Sequence, residues 1–404
     1  MGIHKLMTLI QEKAPKAVKT INLDLLTGKT VACDASMAIY QFLIATQSMK
    51  QGMGISEMRD SEGNLTGHLV GLFHRTIQFM ENGVKPIWVF DGKPPELKSY
   101  VLDQRKENKE KAEETKQTMI DAGDLEGAKR MAGRSIRVTP EMMEDAKKLL
   151  RLMGTPVVEA PGEAEAQCAV IVKHGLAYAT ASEDMDSLTF GTNVLLRGFN
   201  SKKEPIIQID LAQVLEGFNL NHEQFIDLCI LCGCDYTTNI PGVGPVKAFK
   251  FISEEGGTIE NVISRIEKEN DDPKKKKKYT IPETFYYKEA RELFKVPSAI
   301  SDIAELEKII KFNKPDEVAL KEFLVTSKGF QEIKVENGIK KLKATAGKTN
   351  QARLDCFFKG AGTKTSSTQS KDKKSIGGNG SGMIKSSAGT QANTAKKSWP
   401  GKVK

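Results

Sequence analysis

The sequence lacks an apolar stretch of signal-peptide or membrane-span length near its N-terminus, so neither a leader nor a spanning helix is expected there. It opens Met1-Gly2 as a myristoylation signal does, but the sixth residue is Leu6 instead of Ser or Thr, and the pattern fails. Cysteine is sparse: Cys33, Cys168, Cys229, Cys232, Cys234 and Cys356 show no disulfide-framework spacing, which points to a reducing compartment. Cys229-x-x-Cys232-x-Cys234 has no second Cys/His pair to complete four zinc ligands. It sits in the apolar run of Phe225, Ile226, Leu228, Ile230 and Leu231, so buried thiols are expected. Acids are nearly missing from the C-terminal stretch: residues 340–404 hold Asp355 and Asp372 against 15 basic residues, a net +13. The whole chain is +8, which leaves 45 basic and 50 acidic residues in 1–339, a net of −5. A basic tail suggests a polyanionic partner, and the mildly acidic body would meet nucleic acid only through local patches.

What is present is a pattern of strands that end in acids. Lys29-Thr-Val-Ala-Cys33 runs into Asp34, and Pro86-Ile-Trp-Val-Phe90 runs into Asp91. Pro156-Val-Val158 leads to Glu163 and Glu165, and Leu176-Ala-Tyr-Ala-Thr-Ala181 leads to Asp184 and Asp186. Helical patterns lie between them, from Leu69 to Met80 and from Met142 to Leu152, which predicts βαβ units and a mainly parallel α/β sheet. The ligand crevice of such a sheet lies at the carboxyl ends of its strands, where these acids converge. Ala164, Ala166, Cys168, Met185 and Leu188 place the acids beside buried chain, so mutual repulsion calls for a hard, oxygen-seeking cation such as Mg²⁺. The alternative is a set of helix-start acids favoured by the macrodipole.

Three further stretches stand out. Between Leu97 and Arg137 the composition turns to dense mixed charge, which predicts exposed helices inserted in the sheet. There Lys98 and Arg105, seven apart, share one helix face and could hold a phosphate; a salt-bridged solvated helix is the other reading. The apolar helix Phe225–Cys232 is followed by Gly233-Cys-Asp235-Tyr236 and then by Ile240-Pro-Gly242-Val-Gly244-Pro245. Helix, Gly-x-Gly turn and helix is the pattern of a helix-hairpin-helix element, or of an ordinary αα-hairpin. Finally the Gly, Ser, Thr and Lys-rich tail reads as disordered except at Gln351-Ala-Arg-Leu354-Asp-Cys-Phe357-Phe358. That island presents an apolar turn to a partner's pocket.

Taken together, Met1-Gly2-Ile3, Asp34–Leu43, Val89-Phe-Asp-Gly-Lys-Pro-Pro95, Glu163-Ala-Glu-Ala166, Glu183-Asp-Met-Asp-Ser-Leu188, Gly233-Cys-Asp-Tyr236 and Gly242-Val-Gly-Pro245 resemble the eukaryotic flap endonucleases, in order, up to about residue 360. The resemblance implies a PIN-like α/β nuclease body over 1–340, with an N-terminal part to about 110, a helical arch at 97–137, and an internal part at 138–255 containing the hairpin element at 225–252. A basic tail over 341–404 would carry a box for a PCNA-type sliding clamp at 351–358.

The implied activity is two-metal hydrolysis at 5′ flaps in DNA, with an associated 5′-3′ exonuclease, in Okazaki-fragment maturation and long-patch base excision repair. Nuclear localisation and a monomer without membrane contact are expected. Asp34, Asp91, Glu163, Glu165, Asp184, Asp186 and Asp235 would hold two Mg²⁺ ions about 4 Å apart, with Asp184 as the bridge. Lys98 and Arg105 would face the scissile diester, and Tyr40 would stack on the unpaired base. Arg75, Glu163, Gly233, Asp235, Gly242 and Gly244 would contact DNA, with K⁺ at the hairpin. Gln47, Gly162, Pro241, Val246 and the Lys274–Lys278 run depart from the family pattern and bear on duplex affinity. A related 5′ exonuclease or gap endonuclease, and a non-enzymatic clamp-bound scaffold, are the competing readings.

Overall fold

Residues 2–46, 48–50, 54–56, 58–122, 124, 127, 131, 136–200, 205–271 and 279–346 are described by a computed structural model. Gln47, the lysine run at 274–278, the clamp-box island and the rest of the tail lie outside the described residues, as does the side chain of Arg105. The strands are β1 (Val18–Ile21), β2 (Thr30–Asp34), β3 (Ser48–Lys50), β4 (Gly54–Ser56), β5 (Lys85–Phe90), β6 (Val157–Glu159), β7 (Ala179–Ala181), β8 (Val194–Arg197) and β9 (Ile206–Asp210). Seven of them form one sheet in the order β1-β9-β8-β7-β2-β5-β6, while β3 and β4 pair separately. The central strands β6, β5, β2, β7 and β8 are parallel, and β9 and β1 add an antiparallel edge.

The reason lies in the apolar runs. In β2, Val31 and Cys33 face one cluster and Ala32 the other; in β5, Trp88 and Phe90 face the first, Ile87 and Val89 the second. Strands buried on both faces read as continuous apolar segments, and helices must cover each side. The helices described as far as Lys295 are α1 (Leu6–Lys13), α2 (Ala35–Thr46), α3 (Gly67–Glu81), α4 (Ser99–Asp121), α5 (Pro140–Leu152), α6 (Ala164–Lys173), α7 (Asp186–Thr189), α8 (Leu211–Phe218), α9 (His222–Cys232), α10 (Pro245–Glu254), α11 (Ile259–Asp271) and α12 (Tyr287–Lys295). Shorter turns lead to a closing helix, Glu332–Ala346, so helical structure runs past position 340. Among the described residues no helix is long and apolar enough to cross a membrane.

Local chemistry sets the ends. Thr139 accepts from the Met142 amide at 3.3 Å and Pro140 occupies the first turn of α5, which starts that helix before the expected Met142. Asn221 and Gln224 close a reciprocal capping box on α9. β7 is shorter than the expected 176–181 because Gly175 turns with φ 74° and the Leu176 amide returns to the Ile171 carbonyl. The charged insertion does form a long helix, α4, polar on nearly every face. The predicted hairpin forms as well: Gly242 adopts φ 83°, the Val243 amide reaches the Ile240 carbonyl, and Pro245 opens α10. The five described cysteines are free thiols, and all but the partly exposed Cys234 are buried.

Candidate active site

Three of the strand-end acids, Asp34, Asp91 and Asp184, are placed by backbone donors. Asp34, the last residue of β2, accepts from the Met37 amide at 2.9 Å and so caps the first turn of α2. Asp91, one residue beyond β5, accepts from the Ala164 amide at 2.8 Å, which fastens the β5 end to the start of the acid-bearing helix α6. The Asp186 amide donates to Asp184 Oδ1 at 2.9 Å. Ser182 joins the two halves: its hydroxyl donates to Asp34 Oδ2 at 3.0 Å and accepts from the Asp184 amide at 3.1 Å. Lys98, at the base of α4, pairs with Glu163 and stands 3.6 Å from Asp235. The structure therefore gathers six of the seven predicted acids in two bonded sets, Asp34, Asp184 and Asp186 around Ser182, and Asp91, Glu163 and Asp235 around the Ala164 amide and Lys98. The charges of Asp91 on Asp34 and of Asp235 on Asp184 couple the two. The seventh, Glu165, in the first turn of α6, is coupled to them through Asp34, Asp91 and Asp184.

Electrostatics make this network cation-seeking. Burial, then repulsion from Asp91, pushes Asp34 up to about 7. Burial with Asp34 and Asp91 nearby holds Glu165 well above the usual carboxylate range, and burial with Asp184 and Asp235 does the same to Asp186. Burial also raises Asp184. Burial alone would lower the Lys98 pKa, but Glu163, Glu165 and Asp235 outweigh it and keep the ammonium charged.

The donor set suits a hard divalent cation. It is made entirely of oxygen, and among the described residues the buried Asp186 Oδ1 has no hydrogen-bond partner. No three of these side chains, among the described residues, already close on one point as a finished cage.

A stability consequence follows. A carboxyl raised in the folded state stabilises fully below its unfolded value near 4, and loses that contribution as pH rises through about 7. In chelator at pH 8, Asp34→Asn is therefore expected to raise Tm by ~2 °C or more, with the gain vanishing near pH 4. Thermal melts at the two pH values check this; a lower Tm for the variant at pH 8 would contradict it.

Other predicted residues fall into place unevenly. Tyr40 is half-buried on α2, against the apolar cluster that contains Trp88. Gly233 ends α9 with φ 113°, and its carbonyl accepts from the His4 amide at 3.1 Å. Gly242 and Gly244 are at the hairpin surface, and Val246 is largely exposed there. Arg75 lies inside the fold. It is expected to contact DNA, but its guanidinium is buried, donating to the Phe199 carbonyl and, at 2.9 Å, to Gln78. The guanidinium lies 4.7 Å from the centre of the Phe79 ring, which stacks in turn on Phe199 with centroids 4.1 Å apart, so here it fastens the segment after β8. Glu183 likewise turns from the acids to the Gly198 amide at 2.7 Å and to Arg197.

Gly162, a departure from the family pattern, has a local reason, since a Cβ there would stand 2.8 Å from the Ser298 carbonyl oxygen. Gln167 fixes that neighbouring segment through paired bonds to the Ile300 amide and carbonyl, at 2.7 and 3.0 Å. Sequence reasoning missed Ser182, Tyr236 and the closeness of Gly2. A Cβ on Gly2 would come 1.9 Å from Asp184 Oδ1 and 2.6 Å from Asp186 Oδ1, at a backbone φ of 71°. The one sequence signal for Ser182 was a small hydroxyl between a strand end and an acid pair.

A mainly parallel sheet that gathers acids at its carboxyl edge, beneath a charged helix, is the arrangement of the PIN-like nucleases. Residues 1–112 match the XPG N-terminal domain and residues 154–235 the XPG I-region, the two halves of the sheet and site just described. Flap endonuclease 1-1 of Paramecium tetraurelia is 50% identical over 361 residues, spanning 89% of this chain and 91% of that protein. Flap endonuclease 1 of Leishmania major is 44% identical over 362 residues, spanning 89% and 88%. The chain belongs to the flap endonuclease family. Among solved structures, flap endonuclease-1 from Methanococcus jannaschii is similar at TM-score 0.60 and 32% identity, over 81% of this chain and 96% of that one. The catalytic core of Rad2 in complex with DNA substrate, at TM-score 0.62 and 24% identity over 84% of this chain and 100% of that one, shares the fold.

Proposed function

We propose that this chain cuts 5′ flaps in DNA by phosphodiester hydrolysis that depends on two Mg²⁺ ions. The observation that carries the reading is the linked acid network at the sheet's carboxyl edge with Lys98 pointing into it. Asp34, Asp91, Glu163, Glu165, Asp184, Asp186 and Asp235 would hold the ions. Bound there, they would supply a hydroxide at neutral pH and neutralise the departing oxygen.

The chain's own groups do the rest. The Lys98 ammonium, held charged by its acid neighbours, donates to a non-bridging oxygen of the scissile diester, with Arg105 one helix face along. Tyr40 offers a half-exposed ring to the unpaired base beside the cut. Helix α4 rises from Lys98, where it would guide a free 5′ end. The backbone amides at Gly242–Gly244 and the start of α10 would grip a duplex phosphate, with K⁺ at the same turn.

The role we infer is processing of flaps in DNA replication and base excision repair, in the nucleus. The tail would recruit a PCNA-type clamp through Gln351, Leu354, Phe357 and Phe358. Replacing Phe357 and Phe358 by Ala removes two apolar anchors and no charge. Clamp stimulation is therefore expected to vanish while the salt dependence of DNA affinity stays unchanged. Stimulation that survives the double substitution would remove the box from the account.

The reading as a whole is tested by offering flap, nicked and blunt duplexes to the purified chain, with Mg²⁺ or with chelator. Cutting near the flap junction only with Mg²⁺ is expected. Equal cutting of blunt ends would favour the exonuclease reading, and no cutting of any substrate the scaffold.

A further inference from the structure

Glu163 is the N-cap residue of α6, and its side chain makes no capping bond to that helix. The first amide of that helix, Ala164, is instead taken by Asp91. The Glu163 carboxylate is held from across the site. The buried Tyr236 hydroxyl donates to Oε2, while the Lys98 ammonium meets Oε1 and lies 5.8 Å from the centre of the Tyr236 ring. The ring itself has little freedom, being packed edge-on against Phe294 and Phe190 with centroids at 5.0 and 6.5 Å. It is also covered by the apolar core beneath α9, at 1% exposure.

We infer that Tyr236 is a positioning residue: its hydroxyl keeps Glu163 turned toward the acid network rather than toward its own helix, and its ring sets the place of Lys98. This rests on the metal-dependent nuclease reading above. A hydroxyl donor to a ligating carboxylate fixes the orientation from which the oxygen meets a cation, and loss of such a partner commonly costs ~10-fold or more in metal affinity. Tyr is needed where Phe would fill the same space, because Phe leaves Oε2 without its donor.

The test is Tyr236→Phe in the full chain, compared with wild type in two titrations. One follows heat or thermal stability as Mg²⁺ alone is added without DNA; the other follows single-turnover flap cleavage against Mg²⁺. The midpoint for Mg²⁺ is expected to rise ~10-fold in both titrations, with flap affinity in Ca²⁺ and the metal-free Tm unchanged. The same substitution in a Glu163→Gln background should move the Mg²⁺ midpoint no further, because the hydroxyl acts through that carboxylate. Should Tyr236→Phe lower the metal-free Tm, this paired comparison still decides, since a loss from packing alone would add in full to Glu163→Gln. Unchanged Mg²⁺ midpoints, or full additivity, would overturn the inference. A wild type that binds Mg²⁺ but cuts no flap would instead overturn the functional reading, which the DNA-free titration keeps separate.

Discussion

Asp184→Ala is expected to slow single-turnover flap cleavage by ~10³-fold or more while leaving flap affinity within about tenfold. Asp184 is almost fully buried, its amide is tied to Ser182, and its Oδ1 takes the Asp186 amide. It thus lies at the centre of the chain of bonds running from Asp34 to Asp186. Under the proposed function, removing it takes away the carboxylate that would bridge the two ions, and a ~10³-fold loss at ~1.4 kcal/mol per tenfold is several kcal/mol of transition-state stabilisation. The hairpin at Ile240–Gly244 and helix α4 are separate elements, so DNA binding persists. Asp184→Asn retains an acceptor for the Asp186 amide and removes only the charge. Its rate should fall nearly as far, which separates electrostatics from local disorder.

Lys98→Ala is expected to lower the single-turnover rate by ~10²-fold, with a smaller loss of affinity, as for a group aimed at charge that develops in the transition state. The structure adds a second effect. The Lys98 charge lowers the pKa of Glu165, Asp184 and Asp186, so its removal should raise them. The acidic limb of the kcat/KM profile, which reports groups of the free enzyme, should therefore move to higher pH. Equal losses in rate and affinity with an unmoved acidic limb would show that Lys98 merely tethers α4.

The core of this site was legible in the sequence for a physical reason. Parallel strands buried on both faces read as apolar runs, and each run here stops at an acid, so the sheet and its crevice could be drawn from β2, β5, β6 and β7 together. The antiparallel edge, β9 and β1, was not legible, nor was the parallel strand β8 beside it. Burial along the edge is mixed, as in Ile206–Asp210, and the acid that ends that strand, Asp210, caps α8 by accepting from the Gln213 amide. The supporting hydroxyls were hidden for another reason. Ser182 meets Asp34 across 148 positions, and Tyr236 meets Glu163 across 73, so no local spacing announces either. The burial of Arg75 was hidden in the same way: an arginine in a helical pattern reads as surface, and its guanidinium is held by the Phe199 carbonyl across 124 positions.

Single-turnover cleavage of a 5′-labelled flap, followed across a Mg²⁺ titration after chelator treatment, tests most directly whether the acid network is a divalent-metal nuclease site. The account predicts no cutting in chelator, a steep rise with Mg²⁺ as expected for two ions, and no recovery for Asp184→Ala at any Mg²⁺ concentration. Cleavage in chelator at the rate seen with Mg²⁺, or an Asp184→Ala curve that overlays wild type, would contradict it.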